Sequence, residues 1–455
     1  MSVSSETQIS VNEIREGYEL TTQQEAVWLR EQQSETWLWG AVQVTGELEP
    51  ERLQRAVQQV AAAEEALRSG FARLAGMEQP LQVVHSVSEV VVEVEKETVA
   101  ARLEQWGHEQ WRESDAEQWS VKLLRVGVAE SVLALRMRAL CGDRETVRQV
   151  LEAVLAAYER GAVSETERRV QYADYGAWQK EVREEEGAEG AAYWEREQRG
   201  EGSELRLGLE RGVACGSEWQ RQRVSVSAAV AERVQQVAGA EGVSEEAVLL
   251  SVWQTLLWRQ TEAAVVAVER RVSGRGYEEL AIALGRYERW LPLRVRVREA
   301  ASWRELLRET AARLAETEKW QEYYSGRAGQ AGVGGAWIGF EYVNWPERWL
   351  GTALQGEWEW LEERVGGQKL KLRGERRGAS LQVALEYETA VLSAAAAEWL
   401  SEQYVQLLAE VSATPAVPVS EAALVSARER EQVVGEWNET RCDYGPATVI
   451  HELFV

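Results

Sequence analysis

Two periods of apolar residues alternate along this chain. A short apolar run at 40–46 predicts a strand. Pro50 then stands where a helix can begin, and Leu53, Val57 and Val60 follow at helical spacing. Runs at 122–128 and 132–138 are joined by Ala129, Glu130 and Ser131, a hairpin-like pattern. Residues 146–158 predict an amphipathic helix with Val147, Val150, Leu151, Val154 and Leu155 on one face. The stretch REEEGAEG at 183–190 is charged and contains glycine, so it is expected to be a linker between two lobes. Strand and helix alternate again beyond it. Residues 223–227, 265–270, 337–343, 370–373 and 381–387 predict strands; 229–238, 244–259, 303–315 and 394–410 predict helices, with Ser244 as an N-cap. Two such halves predict α+β lobes packed side by side. The glycine-rich SGRAGQAGVGG at 325–335 lacks the Lys-Ser/Thr ending of a phosphate cradle and is expected to be a surface loop.

Length and charge narrow the picture. At 455 residues the chain is long enough for two core-bearing units. With 51 Lys and Arg against 75 Asp and Glu, the formal charge is -24. That excludes a phosphate-binding surface for nucleic acid and favours a soluble, self-repelling protein. Cys141, Cys215 and Cys442 lie far apart, without zinc-type spacing, which fits a reduced, cytoplasmic protein. No apolar run approaches the roughly 20 residues of a membrane span, and no secretion signal opens the chain. The 21 Trp against three Phe are read as tryptophan filling core sites.

Several blocks then occur in a fixed order. YELTTQQEAVW (18–28) is followed by GELEPERLQRAVQQVAAAEEALRSGF (46–71) and LALRMRALCGDRETVRQVL (133–151). YADYGAWQ (172–179), AAYWERE (191–197) and GRGYEELAIALGRYERWLPLR (274–294) come next. LEYETAVLSAAAAEWLSEQYVQLL (385–408) and EWNETRCDYGPATVIHELF (436–454) complete the series. Together they resemble a condensation domain of a nonribosomal peptide synthetase. The resemblance implies two chloramphenicol-acetyltransferase-like lobes in a V-shaped pseudo-dimer with a central tunnel. It implies an N-terminal segment (1–17), an N-terminal lobe (18–182), the linker (183–190), a C-terminal lobe (191–425), and a linker into the start of an adenylation domain (426–455). The implied partners are donor and acceptor peptidyl carrier domains, whose phosphopantetheine arms bring the substrates, and the downstream adenylation domain. No cofactor is expected on the domain itself, and the domain is expected to be monomeric.

The family motif is two His, three variable residues, Asp and Gly. Aligned on Asp143, it places Arg138 and Ala139 at the histidines and Arg144 at the glycine, with Leu140, Cys141 and Gly142 between. The second His is implied to position the acceptor amine or take its proton, and Ala139 can do neither. Asp143 is implied to pair with an arginine, Arg68 or Arg275; capping the following helix is the plainer alternative. Arg138 is read either as a donor to a thioester carbonyl or oxyanion, or as half of an internal ion pair with a glutamate. Cys141 has no paired base and reads as an inert buried thiol. Other blocks depart as well. Ala63 and Glu64 stand where Arg-His precedes EALR, GRYERW (285–290) replaces GFFVNT, and WQE (320–322) replaces HQD. Glu145, Tyr287, Glu288 and Trp320 are the candidates to line the tunnel or replace the missing base. His85, His108 and His451 lie outside every site motif. Of two competing functions, the first is the expectation and the second its alternative. One is a divergent condensation domain joining a carrier-bound acyl or peptidyl thioester to a carrier-bound aminoacyl amine. The other is an inactive condensation-like platform that positions carrier domains or recruits a tailoring enzyme.

Overall fold

The computed structural model describes residues 17–440 apart from 33, 75, 89, 97–99, 112–116, 164–168, 186, 200–204, 212–217, 325–336, 347, 366 and 426. The expected N-terminal segment up to 16, the glycine-rich 325–335, Cys215, Cys442, His451 and the adenylation-like end from 441 lie outside the described residues.

The N-terminal sheet is built around Trp37–Thr45, a strand buried on both faces along most of its length. Glu130–Met137 pairs antiparallel to it, from Trp39 opposite Arg136 to Thr45 opposite Glu130. Trp119–Arg125 follows through the predicted hairpin, and Val92–Lys96 adds a parallel strand at that edge. The other side of Trp37–Thr45 is occupied from far down the chain. Gln355–Arg364 pairs antiparallel with it, with a bulge between Trp358 and Trp360, and Trp349–Leu350 closes that edge. Helices Pro50–Ala63 and Arg144–Arg160 cover the sheet, burying Leu53, Val57, Val60, Val147, Val150 and Leu151 in one apolar cluster. Burial of each such side chain stabilises the lobe by about 1.5–3 kcal/mol.

The C-terminal sheet runs Arg289–Val295, Val266–Val272, Trp337–Asn344, Gln368–Arg377, Ser380–Glu388, Trp219–Ser225. Helices Ala228–Glu241, Glu245–Thr261, Trp303–Lys319 and Ala394–Ala413 pack on one face, around Leu256, Phe340, Leu372, Leu385 and Leu407. Ser244 caps its helix as predicted, accepting from the Ala247 amide at 3.1 Å. The fold is α+β, two sheet-and-helix lobes side by side.

Two expectations change. Residues 183–190 are helical on both sides of 186, within Tyr172–Glu185 and Gly187–Arg199. Glu, Ala and Arg are good helix formers, so the run forms helix; Glu184, Glu185 and Glu189 are exposed, while Gly190 is buried, where a Cβ would lie 2.2 Å from the Tyr323 ring. Tyr193 and Trp194 pack there against Val272 and Leu291. The span 191–425 is also not a closed unit, because Gln355–Arg364 belongs to the N-terminal sheet. No helix among the described residues is long and apolar enough to cross a membrane.

Candidate functional site

The motif residues form a tight turn between Glu130–Met137 and Arg144–Arg160. Arg138 is spent inside the protein. Its guanidinium pairs with Glu31 at 2.9 Å, donates to Gln118 Oε1 at 3.0 Å and lies 5.5 Å over the Phe71 ring. Of the two readings of Arg138, the internal ion pair is the one observed. Ala139 is a buried methyl group, 2% exposed. Burial pushes the Cys141 thiol up to about 12, which Arg138 does not offset, so it stays protonated and inert at neutral pH. Gly142 is required by space, since a Cβ there would sit 2.5 Å from Met137 Sδ and 2.8 Å from Thr146 Cγ2.

Asp143 combines both expected roles. As N-cap it accepts from the Thr146 amide at 2.9 Å. Arg275 grips it from the loop after Val266–Val272, with contacts of 2.8 and 2.9 Å to its two oxygens. The Tyr287 and Glu288 amides add bonds of 2.9 and 3.0 Å. Thr146 Oγ1 donates to the Gly285 carbonyl at 2.7 Å, folding loop 283–288 onto the helix. Burial alone would raise the Asp143 carboxyl. Arg275, then Arg286 and the Thr146 amide, outweigh burial and hold it below the usual range. Arg68 is not brought to Asp143. It ends the turn Glu65–Arg68 beside a three-stranded sheet of Gly17–Tyr18, Leu81–Val84 and Ser69–Ala72, where it donates to the His85 carbonyl instead.

The remaining candidates are each packed or paired. Tyr287 is fully buried, its ring 4.6 Å under the Arg275 guanidinium and packed on Tyr172 and Tyr175. Burial raises its hydroxyl above the ordinary tyrosine value, so it is no base at neutral pH. Glu288 is paired with Arg271. Glu145 is paired with Arg148 and accepts from Gln149 at 2.9 Å; these bonds outweigh burial and hold its carboxyl low. Trp320 sits apart, stacked 6.0 Å from Tyr193, its carbonyl accepting from Trp194 Nε1 at 2.7 Å. In the same WQE stretch, Glu322 reaches inward. It accepts from Arg289 at 2.9 Å and from Tyr175 and Gln179 at 3.0 Å. Two of those donors come from YADYGAWQ, which carries its own polar tie to the other lobe.

Arg144, in the glycine position, is 2% exposed. It crosses to the C-terminal sheet, meeting Glu341 at 2.8 Å, with Glu363 at 3.9 Å on the same guanidinium. Arg286 takes up Glu363 as well. Glu341 is shared with Lys371 and Arg373, each at 3.4 Å. Arg373 continues to Glu362 at 2.8 Å, and Arg221 joins Glu362 to Glu386. Sequence reasoning missed Glu341, Glu362, Glu363 and Arg373. The available signal was charge at alternate positions of otherwise strand-like runs, KLKLR at 369–373 and EWEWLEE at 357–363. Chemically, this is a site of locked charges. The Asp143, Glu341 and Glu362 carboxyls are held below their ordinary range by the cationic groups around them, which outweigh burial, and the two motif positions offer a spent guanidinium and a methyl.

Known proteins resemble this chain over most of its length. A family model described as Condensation domain matches residues 14–326. Tyrocidine synthase 3 of Brevibacillus parabrevis is 24% identical over 435 aligned residues, covering 91% of this chain and 6% of that protein. Surfactin synthase subunit 1 of Bacillus subtilis (strain 168) is 22% identical over 437, covering 90% and 12%. The chain thus spans only a small part of these relatives. Among solved structures, the condensation domain from Monacolin K polyketide synthase MokA superposes with a TM-score of 0.78 at 17% identity, covering 89% of this chain and 99% of that one. The complex of the X-domain and OxyB from teicoplanin biosynthesis gives 0.74 at 18%, covering 90% and 96%. At such identities these likenesses speak for the fold alone.

Proposed function

This chain belongs to the condensation-domain family of nonribosomal peptide synthetases, and from that premise we propose that it serves as a non-catalytic platform within a synthetase. It holds carrier domains, or a tailoring enzyme acting on a carrier-bound chain, in a fixed arrangement without forming the amide itself. The carriers bring their own phosphopantetheine arms. One observation carries the reading. At the two motif positions from which an amine would be held or deprotonated, Arg138 is consumed by Glu31 and Gln118 and Ala139 is a buried methyl. The nearby carboxylates of Asp143 and Glu145 are held low by their arginines, which weakens them as proton acceptors. The X-domain seen in complex with OxyB supports the idea that this fold can present a surface to another enzyme.

A second reading, amide formation, is favoured by the intact Asp143–Arg275 frame. A free amine attacks a thioester without a strong base. The missing base costs ~10²–10⁴-fold, which proximity can outweigh. Intact mass spectrometry separates the two. Donor- and acceptor-loaded carriers are mixed with the domain and the acceptor carrier is weighed. We expect no mass gain, while a histidine-containing condensation domain with the same carriers gives one. A domain-dependent gain equal to the donor acyl group overturns the platform reading.

A further inference from the structure

The two large apolar clusters of the described residues are separate. One is drawn from residues between Leu205 and Ala422. The other lies mainly between Val27 and Tyr158, with Leu284, Val343, Trp345 and the strand exchanged from the C-terminal half, Gln355–Arg364, at its margin. Between the sheets lies a layer of charge. Arg144, at the start of a helix of the N-terminal lobe, meets Glu341 in the middle of the C-terminal sheet. Glu362, on the exchanged strand of the N-terminal sheet, meets Arg373 and Arg221 from two strands of the C-terminal sheet. Arg30, on helix Thr22–Glu31, meets Glu269 at 3.4 Å. Except for the partly exposed Arg30 and Arg221, these side chains are no more than a tenth exposed.

We propose that this layer is a bolt, fixing the two lobes in a single relative orientation so that they do not hinge. The physical reason is directionality. Apolar contact is non-directional, and two greasy faces can slide at small cost. A desolvated ion pair has no such freedom, because displacement leaves a buried charge without its partner. Sharing multiplies the effect. Glu362 is held across the seam by both Arg221 and Arg373, while Glu341 is met across it by Arg144 and oriented within its own sheet by Lys371 and Arg373. Lys371 and Arg221 both continue to Glu386 at 2.8 and 2.6 Å. A lobe movement that displaces Glu362 therefore strips it of both partners at once. The exchanged strand tethers the lobes, but a tether limits distance and not angle. The bolt is independent of whether the domain forms amides.

The test is the distribution of distances between the lobes. Spin labels are placed at two exposed helical positions, Gln58→Cys and Glu402→Cys, in a Cys215→Ser, Cys442→Ser background. Cys141 is buried and protonated. Pulsed electron spin resonance should give one narrow peak. Glu341→Gln with Glu362→Gln, close in shape and without charge, should broaden it or add a second peak while circular dichroism still reports folded lobes. If that variant does not fold, Arg144→Met with Glu341→Leu removes both charges of the central pair and should broaden the peak likewise. A broad or split distribution in the unaltered protein, or a narrow one in a folded neutralised variant, overturns the proposal.

Discussion

Asp143 shows how much one carboxylate organises. It caps a helix, holds Arg275 and gathers two amides of loop 283–288. Removing one partner of a buried pair is far more damaging than the pair is valuable, on the order of 3–5 kcal/mol. Asp143→Ala should therefore lower the denaturation midpoint and the soluble yield sharply, because Arg275 is left charged and enclosed. An unshifted urea transition would show that the pair carries no structural load. The motif made Asp143 legible in the sequence, but the choice between Arg68 and Arg275 was not. Both are arginines in family blocks, and only the path of the chain tells which side chain arrives. Arg138 illustrates the same limit, since Glu31, its partner, lies 107 positions away.

Among elements, helix Arg144–Arg160 is anchored at both ends by the other half of the chain. Its first turn holds loop 283–288. Its last turn carries Glu159, whose carboxylate accepts from the successive amides of Thr352, Ala353 and Leu354 at 2.7, 2.6 and 2.8 Å. These bonds outweigh desolvation and hold the Glu159 carboxyl below its ordinary value. They staple the turn between Trp349–Leu350 and Gln355–Arg364. Glu159→Gln keeps the shape and removes the charge, so hydrogen exchange at 352–354 should quicken while helix Pro50–Ala63 stays protected. Unchanged exchange at those three amides would mean the carboxylate is dispensable. Sequence patterning recovered most strands and helices of both lobes, because their apolar faces are regular. It missed Val92–Lys96, Arg289–Val295 and Gln355–Arg364; in the last, buried positions carry Glu362 and Glu363. Hydropathy reads such residues as surface, since their partners come from other elements.

For the whole molecule, the charge layer sets the response to acid. In the folded state Asp143, Glu341, Glu362 and Glu386 are held low: burial raises them, and the guanidinium and ammonium groups around them more than compensate. Unfolded, they return to about 3.8 for Asp and 4.5 for Glu. The unfolded chain therefore binds more protons below about pH 5, and stability falls with pH there while its full contribution persists above. Exposed carboxylates act oppositely, because neutralising part of a -24 charge relieves self-repulsion. The buried groups should win, since their arginines stay charged and become unpaired. The urea midpoint should be nearly level from pH 8 to about 6 and fall steeply below about 4. A midpoint at pH 4 equal to that at pH 7 would refute this. Two lobes were legible from alternating strands and helices. The seam between them was not, because a buried ion layer has the composition of a surface. The exchanged strand also has a consequence in time. A ribosome releases residues 37–45 some three hundred positions before the strand that completes their sheet. Until then Trp37–Thr45 presents an unpaired, strongly apolar edge to the cell, an invitation to aggregate. The N-terminal lobe therefore cannot finish folding during its own synthesis, and a chain cut at the lobe boundary should be insoluble however well its remaining residues are packed.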